Sequence, residues 1–187
     1  VPEIVIVRHG QTEWSENGRH TSRTDLPLLE VGRVRAAEIG RELAARPFAL
    51  VLTSPLRRAR DTCELAGFGD RAEIFEDLRE WEYGEYEGLT TPEIRESVPG
   101  WWLWRDGCPG GETPEQVGAR ADRALERLRR ADGDALAFAH GHILRVVTAR
   151  WVGLPASGGA RFALAAGGVG ELGFERDTEV VRGWNHV

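Results

Sequence analysis

Residues 4–10 read Ile-Val-Ile-Val-Arg-His-Gly: four apolar residues in succession, then an arginine, a histidine and a glycine. An unbroken apolar run of β-branched residues suits a strand covered on both faces, because a half-exposed strand would alternate apolar with polar side chains. The pattern returns twice. Residues 48–52 (Phe-Ala-Leu-Val-Leu) are followed by Thr53-Ser54-Pro55, and residues 135–139 by His140-Gly141-His142. Between these runs the spacing predicts helices, one over about 30–46 and ended by Pro47, and one opening at Ser54-Pro55 with a cap residue and Pro at the first helical position. Another opens at Thr113, where Thr113-Pro114-Glu115-Gln116 forms a capping box, and runs to about residue 130. A last helix comes after His142, over about 143–152. Strand, helix, strand, helix, strand, helix is the order of an α/β fold with a mostly parallel sheet.

The remaining segments are less regular. A weak strand is expected at 73–75, and an irregular excursion at about 77–112 holds Trp101, Trp102 and Trp104, with a short helix at 92–97. The tail, about 160–184, alternates apolar runs with Gly167-Gly168 and Arg176-Asp177, which predicts two or three strands joined by hairpin turns. The chain has 187 residues, 41% of them hydrophobic and 29% charged, with a net charge of −6. That is the size of one ordinary domain, and residues 1–187 are read as a single one. Its acidic balance argues against a nucleic-acid partner. All 24 basic residues are arginine, so neither a Schiff-base lysine nor a P-loop lysine exists here. Two cysteines, Cys63 and Cys108, are too few for a disulfide framework, a zinc knuckle or a CxxC pair. The first residues show no basic leader and no apolar stretch is long enough for a membrane, so the expectation is a cytoplasmic protein with no membrane partner.

In a parallel α/β sheet, ligands bind outside the carboxyl ends of the strands. Three such ends bring Arg8, His9, Arg57 and His140 to one crevice. Two guanidiniums beside two imidazoles suit a tetrahedral oxyanion, since Arg offers a planar fork of donors to phosphate. Histidine can also serve as nucleophile and carry the phosphoryl group between two easier steps. A proton donor for the leaving oxygen is then required. The acidic stretch at 76–88 offers Glu80, Glu82, Glu85 and Glu87, among which the sequence physics does not choose.

With these residues in view, the sequence resembles the histidine phosphatase superfamily, the cofactor-dependent phosphoglycerate mutase and acid phosphatase group. The resemblance rests on VRHGQTEWSENGRHTSRTDLPL at 7–28, LTSPLRRARDT at 52–62, LREWEYGEYEGLT at 78–90, PGGET at 109–113 and AHGHILR at 139–145. It is nearest to the small bacterial acid-phosphatase branch. It implies a three-layer α/β/α fold with a mixed, mostly parallel central sheet. It also implies that His9 is the phosphorylated nucleophile, that Arg8, Arg57 and His140 complete the phosphate pocket, and that Glu80 is the general acid and later the base. Gly10 would permit close packing beside the nucleophile, and a backbone carbonyl would hold the His9 ring in its reactive tautomer.

Substrate contacts are expected from Ser15, His20, Thr21, Trp104, Arg105, Gly141 and His142, with the tryptophans as an apolar wall and Arg105 receiving a carboxylate or second phosphate. Ser15 stands where the mutases carry Asn. The excursion is shorter and less basic than theirs, which favours hydrolysis over transfer. The expected activity is therefore hydrolysis of small-molecule phosphomonoesters, without metal or organic cofactor and with a pH optimum below neutral. A phosphoglycerate-mutase-type isomerase and a silent phospho-ligand binder are the alternatives. The tail strands would suit a homodimer, which nothing in the sequence compels.

Overall fold

A computed structural model describes residues 3–187; the leading residues Val1 and Pro2 lie outside the described residues. The apolar run at the start becomes β1 (Ile4–Arg8), an inner strand of a six-stranded sheet. Its parallel neighbour is β4 (Ala135–Ala139), in register from Ile4 opposite Ala135 to Arg8 opposite Ala139. Next to β4 lies β2 (Leu50–Thr53), and at that edge β3 (Ala72–Ile74), both also parallel. On the other side of β1 the tail adds β5 (Val169–Glu175) and β6 (Thr178–His186), paired antiparallel. The order is β3-β2-β4-β1-β5-β6, a mixed and mostly parallel sheet.

The unbroken apolar runs are explained by cover on both faces. Ile4, Ile6, Leu52, Ala135 and Ala137 face α6 (Pro114–Arg129) and α7 (Gly141–Trp151), whose Leu125, Leu128, Val147 and Trp151 complete that core. Val5, Val7, Val51 and Phe138 face the opposite way, against Ile39 and Leu43 of α2 (Glu30–Leu43) and Cys63 of α3 (Arg57–Leu65). Three layers result. Ile4, Val5, Ile6 and Val7 are all fully buried, and each such burial contributes about 1.5–3 kcal/mol relative to exposure. The carboxyl end of β1 meets α2 through glycines. A Cβ on Gly10 would lie 2.4 Å from the Gly32 carbonyl oxygen, so only glycine lets α2 approach the residue after His9.

The capping box expected at Thr113 forms. Its hydroxyl accepts from the Gln116 N–H at 3.3 Å, while Gln116 accepts from the Thr113 N–H at 2.8 Å. Three expectations change. The helix placed at Ser54-Pro55 begins only at Arg57, because Leu56 keeps an extended backbone as the N-cap, and the Arg57 N–H donates to Asp25 at 2.8 Å. The tail holds two strands joined at Arg176-Asp177, within the expectation, but Gly167-Gly168 joins no strands and belongs to the irregular approach to β5. The excursion contains, besides the expected short helix (α4, Thr91–Ser97), a 3-10 turn at Gly84–Tyr86 and a further α-helical turn at Leu103–Asp106 (α5), and α1 (Glu13–Glu16) comes after His9. No helix among the described residues is long and apolar enough to cross a membrane.

Candidate active site

The carboxyl ends of the parallel strands carry the expected polar cluster. His9 comes directly after β1, His140 comes after β4 as the N-cap of α7, and their ring centroids stand 5.2 Å apart. The His9 Nδ1 lies 2.8 Å from the carbonyl oxygen of Gly10. A carbonyl can only accept, so Nδ1 carries the proton and Nε2 of the neutral ring keeps its lone pair. Behind it, the Gly10 N–H donates to the Thr62 hydroxyl at 3.0 Å, and that hydroxyl donates to the Arg58 carbonyl at 2.7 Å. These bonds tie the histidine's own backbone to the first turns of α3.

Arg57 does not belong to this cluster. Its side chain is 57% exposed and pairs with Asp61 at 3.2 Å. Arg58 is the buried one, with Nη1 donating to Thr24 and Nη2 to the carbonyls of Thr21 and Ser22 at 3.0–3.1 Å. The difference arises from the later helix start. One residue along a helix turns the side chain by about 100°, which sends Arg57 to solvent and Arg58 under the site.

Arg8 anchors Nη1 on the Leu164 carbonyl at 2.6 Å and packs flat against the Gly141 backbone, where a Cβ would fall 3.2 Å from its Nε. Three buried side-chain nitrogens among the described residues have no hydrogen-bond partner: Arg8 Nε, Arg58 Nε and His140 Nδ1. Buried polar atoms are nearly always paired, and here all three exceptions belong to this one cluster. The other ring nitrogen of His140 meets Ser54 Oγ at 2.7 Å.

Glu80 separates itself from its acidic neighbours through tertiary contacts. Its carboxylate accepts from the N–H groups of Trp81, His142 and Ile143 at 2.9–3.0 Å, two of them in the first turn of α7. Glu82 and Glu87 are occupied with Ser22, and Glu87 also with Thr24. Glu85 is exposed. A cavity of about 220 Å³ opens over the cluster, and of the four candidate glutamates only Glu80 lines it.

Ser15, His20, Thr21, Gly141 and His142 all line that cavity. The Ser15 hydroxyl is nevertheless engaged in the capping box of α1, with Thr12. The His20 Nδ1 donates to the Leu89 carbonyl at 2.7 Å, and the ring of His142 meets the Tyr83 hydroxyl at 2.5 Å. Trp104 and Arg105 fall outside. Trp104 is buried behind the wall, edge-on to Trp81 and His142, so it packs the core and presents no face to the cavity. Arg105 is 62% exposed and holds Asp106. Among the described residues, no three His, Cys, Asp or Glu side chains are grouped to hold a metal ion. Cys63 and Cys108 are free and buried, and burial pushes both thiols up to about 12.

The family model described as "Histidine phosphatase superfamily (branch 1)" matches residues 4–187. The chain belongs to the histidine phosphatase superfamily. It is 45% identical over 178 residues to an acid phosphatase of Mycobacterium tuberculosis, covering 92% of this chain and 86% of that protein. Among solved structures, that of the product of open reading frame Rv3214 from Mycobacterium tuberculosis superposes with a TM-score of 0.93 at 41% identity, over 98% of this chain and 97% of the other. A mycobacterial glucosyl-3-phosphoglycerate phosphatase solved with VO3 superposes with a TM-score of 0.89 at 27% identity, each chain covered in full. Four arginine or aromatic side chains at the site of this superfamily member were not singled out in the sequence: Arg58, Arg19, Tyr83 and Arg145, of which the last three line the cavity. Arg145 had a legible signal, because it stands four residues after Gly141 and so shares its helix face.

Burial, and then the charge of Arg58, holds both His9 and His140 well below the ordinary imidazole value of 6.5. His142 is also held well below that value, by burial and then Arg145. All three are neutral at neutral pH. As the pH falls below about 6.5, the unfolded chain binds protons that the folded chain refuses. Stability is therefore full above that pH and declines below it, by up to about 1.4 kcal/mol per pH unit for each such imidazole. Urea unfolding is expected to show a lower midpoint at pH 5.5 than at pH 7.5; equal midpoints would contradict the neutral, buried state.

Proposed function

We propose that the protein hydrolyses small-molecule phosphomonoesters in two steps through a phosphohistidine on His9, without a metal ion. The observation that carries this reading is the set of three unpartnered nitrogens, Arg8 Nε, Arg58 Nε and His140 Nδ1, around a histidine whose Nε2 lone pair is free. A phosphate dianion supplies the acceptors those groups lack, and its phosphorus would then stand before the nucleophile. The acid phosphatase relative of Mycobacterium tuberculosis supports the same class of reaction.

His9 Nε2 attacks phosphorus in line, and the P–O bond to the leaving alcohol breaks. Arg8, Arg58 and His140 hold the equatorial oxygens and absorb the charge that builds on them. Glu80, in its acid form, gives its proton to the departing oxygen. The resulting carboxylate takes a proton from water, whose oxygen attacks phosphorus and breaks the N–P bond. Phosphate leaves, and His9 and protonated Glu80 are restored. Because burial and Arg58 keep His9 neutral well below pH 6.5, the nucleophile survives mild acid, and activity is expected to peak between about pH 5 and 7. The test is phosphate release from p-nitrophenyl phosphate at pH 6 in EDTA, with rapid-quench detection of an acid-labile phosphoenzyme. Release that persists in EDTA and passes through that intermediate supports the reading, and absence of release overturns it.

The two adjacent arginines provide a second test. Arg58→Ala removes a donor aimed at the transition-state oxygens and is expected to lower kcat by about 10²–10³-fold. Arg57→Ala removes a surface ion pair with Asp61 and is expected to change kcat less than twofold. The reverse ranking in steady-state kinetics would return Arg57 to the site.

A further inference from the structure

The cavity beside His9 carries more positive charge than one phosphate group uses. Three arginines line it, Arg8, Arg19 and Arg145, with Arg58 buried beneath. Arg19 is accounted for by its ion pair with Glu93 at 3.2 Å. Arg8 and Arg58 have unpartnered Nε groups, which the proposed mechanism assigns to the phosphate. Arg145 is left over. In the second turn of α7, it donates Nε to the Gly159 carbonyl at 3.1 Å and Nη2 to that of Ala160 at 3.2 Å, and its guanidinium lies 4.6 Å over the Trp104 ring.

Those contacts fix the plane and use two of five N–H donors, leaving the Nη1 edge and one Nη2 hydrogen. No carboxylate among the described residues forms an ion pair with it. The other basic side chains on the cavity wall do not compete for an anion. His20 and His142 are both lowered by burial and stand neutral, whereas a guanidinium stays charged even when partly buried. Arg8 and Arg145 thus share Glu80 as the carboxyl that faces them, whereas Arg58 also faces Asp25 and Glu87. Once Glu80 is protonated to act as the acid and the phosphate has taken Arg8 and Arg58, Arg145 keeps three N–H donors and no facing carboxylate.

We infer that Arg145 receives a second anionic group of the substrate, so that the preferred substrates are phosphomonoesters bearing a carboxylate or another phosphate a few bonds from the ester oxygen. This rests on the proposed phosphatase activity. The short reach is set by the cavity volume of about 220 Å³, smaller than a pocket for a drug-sized ligand. The planar fork, already fixed by two carbonyls and a stacked indole, loses little freedom when it takes a carboxylate or phosphate edge. A substrate ending in a neutral group would leave that partly buried charge without a partner.

Three synthetic esters on one frame separate the possibilities: 3-hydroxypropyl phosphate, 2-carboxyethyl phosphate and propane-1,3-diyl bisphosphate. In the wild-type enzyme at least one anionic ester is expected to exceed the hydroxypropyl ester in kcat/KM by about tenfold or more, after allowance for the two equivalent esters of the bisphosphate. Which of the two leads tells carboxylate from phosphate. Arg145→Gln is expected to bring that ratio to within about threefold of unity, and Arg145→Lys to keep part of it. Equal constants for all three esters in the wild type overturn the inference and leave the phosphatase reading intact. So does an Arg145→Gln loss that is the same for every ester, which would assign Arg145 to holding the segment at 159–160. Hydrolysis of none of the three overturns the phosphatase reading and this inference with it.

Discussion

His9→Ala is expected to lower phosphate release by about 10⁴-fold or more, and to abolish the phosphoenzyme, while the protein stays folded. The substitution removes the proposed nucleophile, whose Nε2 carries the free lone pair. His140 cannot replace it, because its Nε2 is held by Ser54 and its Nδ1 is one of the three groups assigned to the oxygens. Tyr83 cannot replace it either, since burial and then the charge of Glu80 hold its hydroxyl well above the ordinary phenol value. The folding cost is expected to be small. His9 lies past the end of β1, its ring makes one hydrogen bond, and water entering from the cavity can restore that bond to the Gly10 carbonyl.

Two measurements check this together. Rapid quench of the wild type with labelled substrate should trap an acid-labile phosphoryl group that His9→Ala lacks. Inorganic phosphate should still raise the thermal midpoint of the variant, because Arg8, Arg58 and His140 remain. A variant that turns over within tenfold of the wild type would assign the nucleophile elsewhere.

The strands were legible because burial on two faces forces an unbroken apolar run, and such runs are rare enough to read directly. The polar residues just past those runs were legible for the same reason, since a parallel sheet brings the residues after each strand to one edge. Arg8, His9 and His140 were found that way. Arg58 was not, because choosing between neighbouring arginines needs the helix start to within one residue. The helix starts at Arg57, whose N–H is taken by Asp25, 32 positions away in sequence. Ser54 and Pro55 gave a valid local signal for a helix start, and the tertiary contact overrode it.

The four glutamates were indistinguishable for a related reason. What makes Glu80 different is the pair of N–H groups from α7, supplied by residues 62 and 63 positions away. Arg105 and Arg145 show the limit from the other side. Both are arginines close to aromatic residues, but Arg105 ends on the surface with Asp106, whereas Arg145 shares a helix face with Gly141 and reaches the cavity. Composition points to the kind of residue; the helix period and the sheet edge decide which copy of it arrives.

Glu80→Gln is the substitution that separates acid–base chemistry from scaffolding, because it preserves shape and removes only the titrating group. Rates on alkyl phosphates are expected to fall by about 10²–10⁴-fold, the range for losing a positioned acid. The carboxylate oxygen Oε1 accepts from both Trp81 and Ile143, and Oε2 from His142. An amide can place its oxygen at the first position and keep two of those three bonds. Its NH₂ then faces the His142 N–H, donor against donor, and that bond is lost. The structural cost is thus one hydrogen bond, about 0.5–1.5 kcal/mol, or 1.5–3 where the acceptor is charged. Such a cost would lower the rate on every substrate alike.

The chemical cost would not be uniform. p-Nitrophenolate is a stable leaving group that departs without a proton, so phosphorylation of His9 by p-nitrophenyl phosphate should be much less affected than phosphorylation by an alkyl ester. The second step still needs a base to activate water, and the variant has none there. A burst of p-nitrophenol, near one per active site, then slow turnover and an accumulated phosphoenzyme, is therefore the expected record. Equal losses on aryl and alkyl esters with no burst would reduce Glu80 to a scaffold residue and send the search for the acid to Tyr83, His20 and His142, which line the same cavity.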